Sequence, residues 1–187
     1  PLIDRRAGRI QQGTTELAAA LDGMLLPHGV QAYLRPALHH RAVLQLAGEQ
    51  LSAEISDSDP GDGQREQGIL PVYPLDEHNR AACRTAEALN YFLAESRRIL
   101  APHQINQQRR SAAQPPANAL ICRGAGIHRT FSSLVGEALG VDRVAVVTGD
   151  NTVSGLAGLF GFHLFKDDRF TALADTDIAA KVEQTLQ

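Results

Sequence analysis

Lysine is almost missing from this chain: sixteen of its eighteen cationic side chains are Arg, and only Lys166 and Lys181 are Lys. The planar fork of Arg grips phosphate or carboxylate through two parallel hydrogen bonds, which a point-charge ammonium does not. A GC-rich genome would write the same bias without that purpose. Excess positive charge is missing as well. At a formal net charge of −3 no global field exists to hold a polyanion, which excludes nucleic acid as the expected partner. Cysteine is scarce, with Cys83 in an apparent helix and Cys122 in an apparent strand. That pattern offers neither a zinc site nor a disulfide scaffold and suits buried free thiols in a reducing cytoplasm. No apolar run approaches the roughly 18 residues of a membrane span, and no basic-then-apolar leader is present, so neither a membrane nor a secretory route is expected. Catalytic nucleophile motifs are also absent: there is no G-x-S-x-G, no H-E-x-x-H and no Cys in a recognisable basic setting. An autonomous enzyme is not expected. The chain starts at Pro1 rather than Met, which suggests a piece of something longer.

What is present is enough for a core. A length of 187 residues with 43% hydrophobic content suits one globular domain or at most two small lobes. "TTELAAALDGMLL" stacks Leu17, Leu21 and Leu25 on one helical face behind Thr14 or Thr15 as N-cap, which predicts a helix over 15–26 ended by Pro27 and Gly29. Two strand-like runs, 30–35 and 41–47, predict a hairpin around "PALHH". Residues 56–75, with three Gly and three Pro, read as a long loop, and loops of that length are functional or mobile more often than not. From Asp76 as N-cap, Ala82, Ala86, Leu89, Leu93 and Leu100 share a face until Pro102, predicting the longest helix. A buried strand is expected at 119–122, a helix in "FSSLVGEALG", a strand in "RVAVVTG", a glycine-rich helix in "NTVSGLAGLFGF" and a terminal helix from Asp177. This alternation predicts an α/β fold, a mixed β-sheet flanked by helices.

Four stretches could carry chemistry. "DRRAGR", Asp4 to Arg9, concentrates three arginines beside one carboxylate. "RGAG", Arg123 to Gly126, follows the expected strand; its glycines would let backbone approach a ligand while Arg123 points into the crevice at the strand end, or it is a tight strand exit with a solvated Arg. "ISDSDPGDG" sets Asp57 and Asp59 two residues apart, a spacing that can bind a hard cation, orient arginines or cap a turn, but lacks the later acidic positions of an EF-hand. "LHHRAVL" places His39, His40 and Arg41 at the head of a strand, where adjacent rings point to opposite faces and suit a metal poorly. His103, Asn106, Arg109 and Arg110 of "PHQINQQRR" lie just past the long helix, read as turn residues.

In order, "DRRAGRI", "HHRAVLQLAG", "LSAEISDSDP", "TAEALNYFLAESRRIL", "INQQRR", "PPANALICRGAG" and the glycine-rich helix resemble the inserted substrate-binding domain of the archaeal-type 2,3-bisphosphoglycerate-independent phosphoglycerate mutases, over residues 3–162. The sequence departs from the family pattern at "HQIN", where His-Pro-x-Asn is usual, and after "LFKDDRF". The resemblance implies that residues 1–187 form an inserted domain of a larger enzyme of the alkaline phosphatase superfamily, whose phosphatase-like core lies outside this chain. It implies phosphoryl transfer from 3-phosphoglycerate to a Ser or Thr of that core, stabilised there by two divalent ions (Mn, Zn or Mg), then rephosphorylation of the held glycerate to 2-phosphoglycerate, with no 2,3-bisphosphoglycerate requirement. No cofactor or metal is expected in this chain; the partners implied are the phosphorylated three-carbon acid and the rest of the polypeptide. Substrate contact is implied for Asp4, Arg5, Arg6, Arg9, His40, Arg41, Asp57, Asp59, Asn118 and Arg123, and catalytic residues for none. A related hydrolase acting on another phosphorylated or phosphonate compound, or a free-standing anion-binding module, is the alternative.

Overall fold

The first apolar stretch forms a shorter helix than its leucine spacing predicts. In the computed structural model, which describes residues 2–61, 63–128 and 140–186, helix α1 spans Thr14–Ala19, with Gly13 and not a threonine hydroxyl at its N-cap. The helix stops early because Asp22 is drawn away: its carboxylate accepts the Leu34 N–H at 2.9 Å and pairs with Arg35 at 2.5 Å. Met24–Leu25 then run extended as β1 instead of completing the helix. The expected hairpin is present as β2, Gln31–Pro36, and β3, Ala42–Ala47, antiparallel from Gln31↔Ala47 to Pro36↔Ala42, and β1 pairs with β2 on the other side. His39 and His40 fall in its turn, not on a strand; the turn is closed by Ala37 N–H donating to Arg41 C=O at 2.8 Å.

Helix α2, Arg80–Leu100, buries the five positions expected of it, together with Ala88 and Phe92. Its N-cap is Asn79, whose side chain accepts from Ala81 and Ala82 N–H; Asp76 closes the preceding turn by accepting from His78 N–H. This helix also anchors the long loop. Asn90 exchanges two hydrogen bonds with the Val72 backbone, and Thr85 Oγ1 accepts the Ser52 N–H. Ile55 bridges to Pro74 and Leu70 N–H donates to Ser58 C=O, so the loop doubles back on itself. A second helix that the sequence reading took for a turn, α3, Gln104–Ser111, follows at once, capped by His103 Nδ1 on Ile105 N–H. The predicted strand at 119–122 is not a strand. At its end, the Cys122 backbone pairs with Ser58 instead of a neighbouring strand. These elements belong to a unit spanning Pro1–Ile127, with one core built from Leu17, Leu21, Val30, Leu34, Val72, Leu89, Phe92 and their neighbours.

A second unit spans His128–Gln187. The helix expected in "FSSLVGEALG" falls almost wholly outside the described residues. Strand β4, Ala145–Val147, leads through Asp150, which caps helix α4, Asn151–Leu159, to strand β5, His163–Phe165, which the sequence reading did not anticipate. The two strands pair in parallel. Helix α5, Ile178–Thr185, begins behind Asp177 as expected, with its carboxylate accepting from Ala180 N–H at 2.9 Å. The architecture is thus α/β with small sheets flanked by helices, but the antiparallel and parallel pairings lie in separate sheets.

Candidate functional site

Within Pro1–Ile127, the "DRRAGR" stretch forms a turn. The Asp4 carboxylate accepts the backbone N–H groups of Arg6 at 2.7 Å and Gly8 at 2.6 Å. It is therefore the organiser of the turn that carries Arg5, Arg6 and Arg9. That turn, the tip of the β2–β3 hairpin and the segment 116–121 enclose a cavity of about 120 Å³. Ile10, Leu17, Leu21 and Leu34 supply its apolar floor, while Asp4, Arg5, Arg6, His40, Arg41 and Asn118 supply polar walls.

His40 is the electrostatic marker of this convergence. Partial burial, followed by the charges of Arg41 and Arg6 and by His39 and Arg9, holds its pKa below the usual histidine value. Its Nδ1 is buried and, among the described residues, has no hydrogen-bond partner. A neutral imidazole among guanidinium groups is what desolvation and like charge together favour. Folding therefore favours neutral His40. Its stabilising contribution is complete above the ordinary histidine pKa near 6.5 and is lost as pH falls through the lower folded value. The wild-type chain is expected to lose more melting temperature between about pH 7 and 5 than His40→Asn does; equal losses would show that His40 does not titrate against these arginines.

Arg5 links the cavity to the second cluster. It forms an ion pair with Asp59 in which the two side chains are 16% and 6% exposed. Burial alone would raise the Asp59 pKa. The Gly61 N–H, the Arg5 guanidinium and the charge of Arg123 outweigh it and hold the carboxyl below its ordinary value. Asp57 accepts the Gly124 N–H at 2.9 Å, so "RGAG" is held by an aspartate rather than by sheet pairing. Between the two acids, fully buried Ser58 donates its N–H to Cys122 C=O at 2.9 Å and accepts the Cys122 N–H on Oγ at 2.7 Å. Ser58 is the residue that laces the two motifs together. The two aspartates thus orient backbone and arginine, as one of their expected readings required, and Arg123 stands exposed beside them.

Both cysteines are half-buried free thiols, not buried ones. Burial, with the Asp57 charge adding, pushes the Cys122 thiol up to about 11, which leaves it a poor nucleophile. Among the described residues no group of three or more His, Cys, Asp and Glu side chains could hold a metal ion. The two divalent ions implied by the resemblance have no ligand set there.

Asn106 and Arg109 were not assigned a role from sequence. Asn106, fully buried on α3, donates to Leu100 C=O and Ala117 C=O and accepts the Ala117 N–H, fixing the approach to Asn118. Arg109, one turn on, reaches the "DRRAGR" turn. The signal was the i, i+3 spacing of the two on one helical face, legible only if the segment is read as a helix.

A family model described as 2,3-bisphosphoglycerate-independent phosphoglycerate mutase matches residues 1–106. A protein so named from Methanopyrus kandleri is 35% identical over all of this chain and 43% of its own length. Another from Methanobrevibacter smithii is 40% identical over 67% of this chain and 30% of its own. The solved cofactor-independent phosphoglycerate mutase of Thermoplasma acidophilum superposes with a TM-score of 0.67 at 31% identity, covering 98% of this chain and 47% of that one. This chain therefore spans less than half the length of these relatives.

Proposed function

The chain belongs to the 2,3-bisphosphoglycerate-independent phosphoglycerate mutases, and from that premise we propose that it is the substrate-holding part of an enzyme interconverting 3-phosphoglycerate and 2-phosphoglycerate through a phosphoenzyme. The inserted domain on this reading is residues 1–187, with the candidate site in the unit Pro1–Ile127. One observation carries the reading: Arg5, Arg6, His40 and Arg41, from two segments remote in sequence, line one cavity, with Asp59 paired to Arg5 and the charge of Arg123 acting on Asp59.

Phosphoglycerate carries a phosphate and a carboxylate, and guanidinium forks neutralise both with directional pairs of hydrogen bonds. Arg5 is held ready by Asp59, so little side-chain freedom is lost when ligand arrives. Exposed Arg6, Arg9, Arg41 and Arg123 add charge around the cavity, while Asp4 and Asp57 keep their turns in shape. Neutral His40 can accept a proton as a dianionic ligand offsets the surrounding positive charge. Asn118, on the cavity wall, can hydrogen-bond a hydroxyl of glycerate while the phosphoryl group is away. The phosphoryl acceptor and the two divalent ions belong, on this reading, to the rest of the polypeptide; the ions would supply charge stabilisation for the transfer. The reading also implies no bisphosphoglycerate requirement and a cytoplasmic place on a glycolytic and gluconeogenic intermediate. Among the described residues no helix is long and apolar enough to cross a membrane.

Titration calorimetry with 3-phosphoglycerate and 2-phosphoglycerate tests this. Weak binding that fades with added salt is expected, because the contacts are largely charge on charge near solvent. Arg123→Ala should weaken it by at least ~10-fold, while the melting temperature changes little, since Arg123 is exposed. Unchanged affinity in Arg123→Ala would remove "RGAG" from the site, and no binding by the wild-type chain would overturn the substrate-holding role.

A further inference from the structure

Three consecutive residues of the "DRRAGR" turn, Ala7, Gly8 and Arg9, have φ of 47°, 64° and 57°. For Ala7 and Arg9, which carry a Cβ, left-handed backbone is unfavourable, so the turn persists only where its surroundings over-determine it. From within, Asp4 holds the Arg6 and Gly8 amides. From outside, Asp59 pairs with the Arg5 side chain, and a side chain 102 residues away reaches the backbone of the turn. Arg109, half-buried on α3, donates from one terminal nitrogen to Ala7 C=O at 2.8 Å and from Nε to Pro115 C=O at 2.9 Å. The Pro115 ring in turn lies 3.3 Å from where a Gly8 Cβ would be, so the two backbones close against each other over this guanidinium.

We propose that Arg109 is a positioning residue of the anion site, clamping the left-handed turn that presents Arg5, Arg6 and Arg9 to the segment that leads to Asn118. The inference rests on the substrate-holding reading above only for the identity of the ligand. Arg109 does not line the cavity, and its side-chain hydrogen bonds to Ala7 and Pro115 both go to backbone carbonyls, so it acts through the turn and not on the ligand. The residue type follows from the task. Two carbonyls on separate segments need two diverging donors on one rigid plane, which a guanidinium has and an ammonium lacks. Asn106, three residues earlier on the same helix, fixes Ala117 from the same side. Helix α3 is therefore the rigid element from which two of the three cavity walls, the turn and the 116–121 segment, are held.

Arg109→Met and Arg109→Lys, made in this chain, separate clamping from general stability. The amides of Arg9 and Ile10, which donate to Arg6 C=O at 2.8 and 3.3 Å, report the order of the turn by hydrogen exchange. In Arg109→Met they should exchange at least ~10-fold faster, and 3-phosphoglycerate should bind at least ~10-fold more weakly, while the melting temperature stays within about 3 °C of wild type. Arg109→Lys, keeping the charge but a single donor nitrogen, should recover part of both effects; if the Met variant fails to fold, the Lys variant is held to the same criteria at smaller amplitude. Unchanged exchange would overturn the clamp. Faster exchange with intact affinity would show that the turn need not be held for binding and would overturn the positioning role. If no form of the chain binds 3-phosphoglycerate, the functional reading fails, and Arg109 stands or falls on the exchange contrast alone.

Discussion

Gly149→Ala is expected to cost about 3 kcal/mol or more of stability in the unit His128–Gln187. A Cβ at this position would run into the Phe170 carbonyl group. Neither atom of that group belongs to a flexible side chain that could step aside. Phe170 is itself buried, and its N–H is held by Asp167 C=O at 2.9 Å. Relief therefore requires the backbone at the end of β4 or the 167–170 turn to move, and either movement disturbs the pairing of β4 with β5. Gly155→Ala is the matched control: it lies inside α4, a Cβ there meets nothing within 4 Å, and helix propensity alone should stabilise it by up to ~1 kcal/mol. Hydrogen exchange at the α4 and β5 amides distinguishes the two. Wild-type protection in Gly149→Ala would mean that the approach of Phe170 to Gly149 is not a constraint of the fold.

Asp59→Ala is the second substitution with a large expected effect, about 3 kcal/mol against the unit Pro1–Ile127. It removes the carboxylate from a guanidinium that is only 16% exposed, and a mostly buried charge whose counter-charge is deleted costs more than the pair contributed when intact. Arg5→Met alone should also cost stability, by leaving Asp59 only the Gly61 N–H and the charge of Arg123. The double variant should cost clearly less than the sum, which a double-mutant cycle by urea unfolding reads directly. Additive losses would show that the two side chains do not depend on each other. The pH dependence has a definite sign as well. Because the folded Asp59 pKa lies below its ordinary value near 3.8, the pair's contribution is complete above that value and disappears as pH falls through the lower folded one. Asp59→Ala should therefore flatten the acid limb of the stability curve.

Elements whose signal is local are legible in the sequence alone. The α2 face from Ala82 to Leu100, the two runs of the β2–β3 hairpin, the strand and helix around Asp150 and the helix start at Asp177 are each written in a period or a cap, and each is found where it was read. Family membership was legible for a related reason: the order of short motifs survives translation into structure. Tertiary contacts decided the rest. Helix α1 stops at Ala19 because Leu34 and Arg35, a dozen residues on, claim Asp22. Residues 119–122 look like a buried strand in composition, but Ser58 satisfies Cys122's backbone, and a segment so paired has no ladder to join. The candidate site shows the division most clearly. Its arginines stand out in the sequence by their number, yet which of them meet was set by Asp59, Ser58, Asn106 and Arg109, whose side chains hold groups 11 to 102 residues away. Periodicity reports how a residue faces along its own element; it carries no information about a hydrogen bond to a backbone carbonyl on another, and this site is assembled from such bonds.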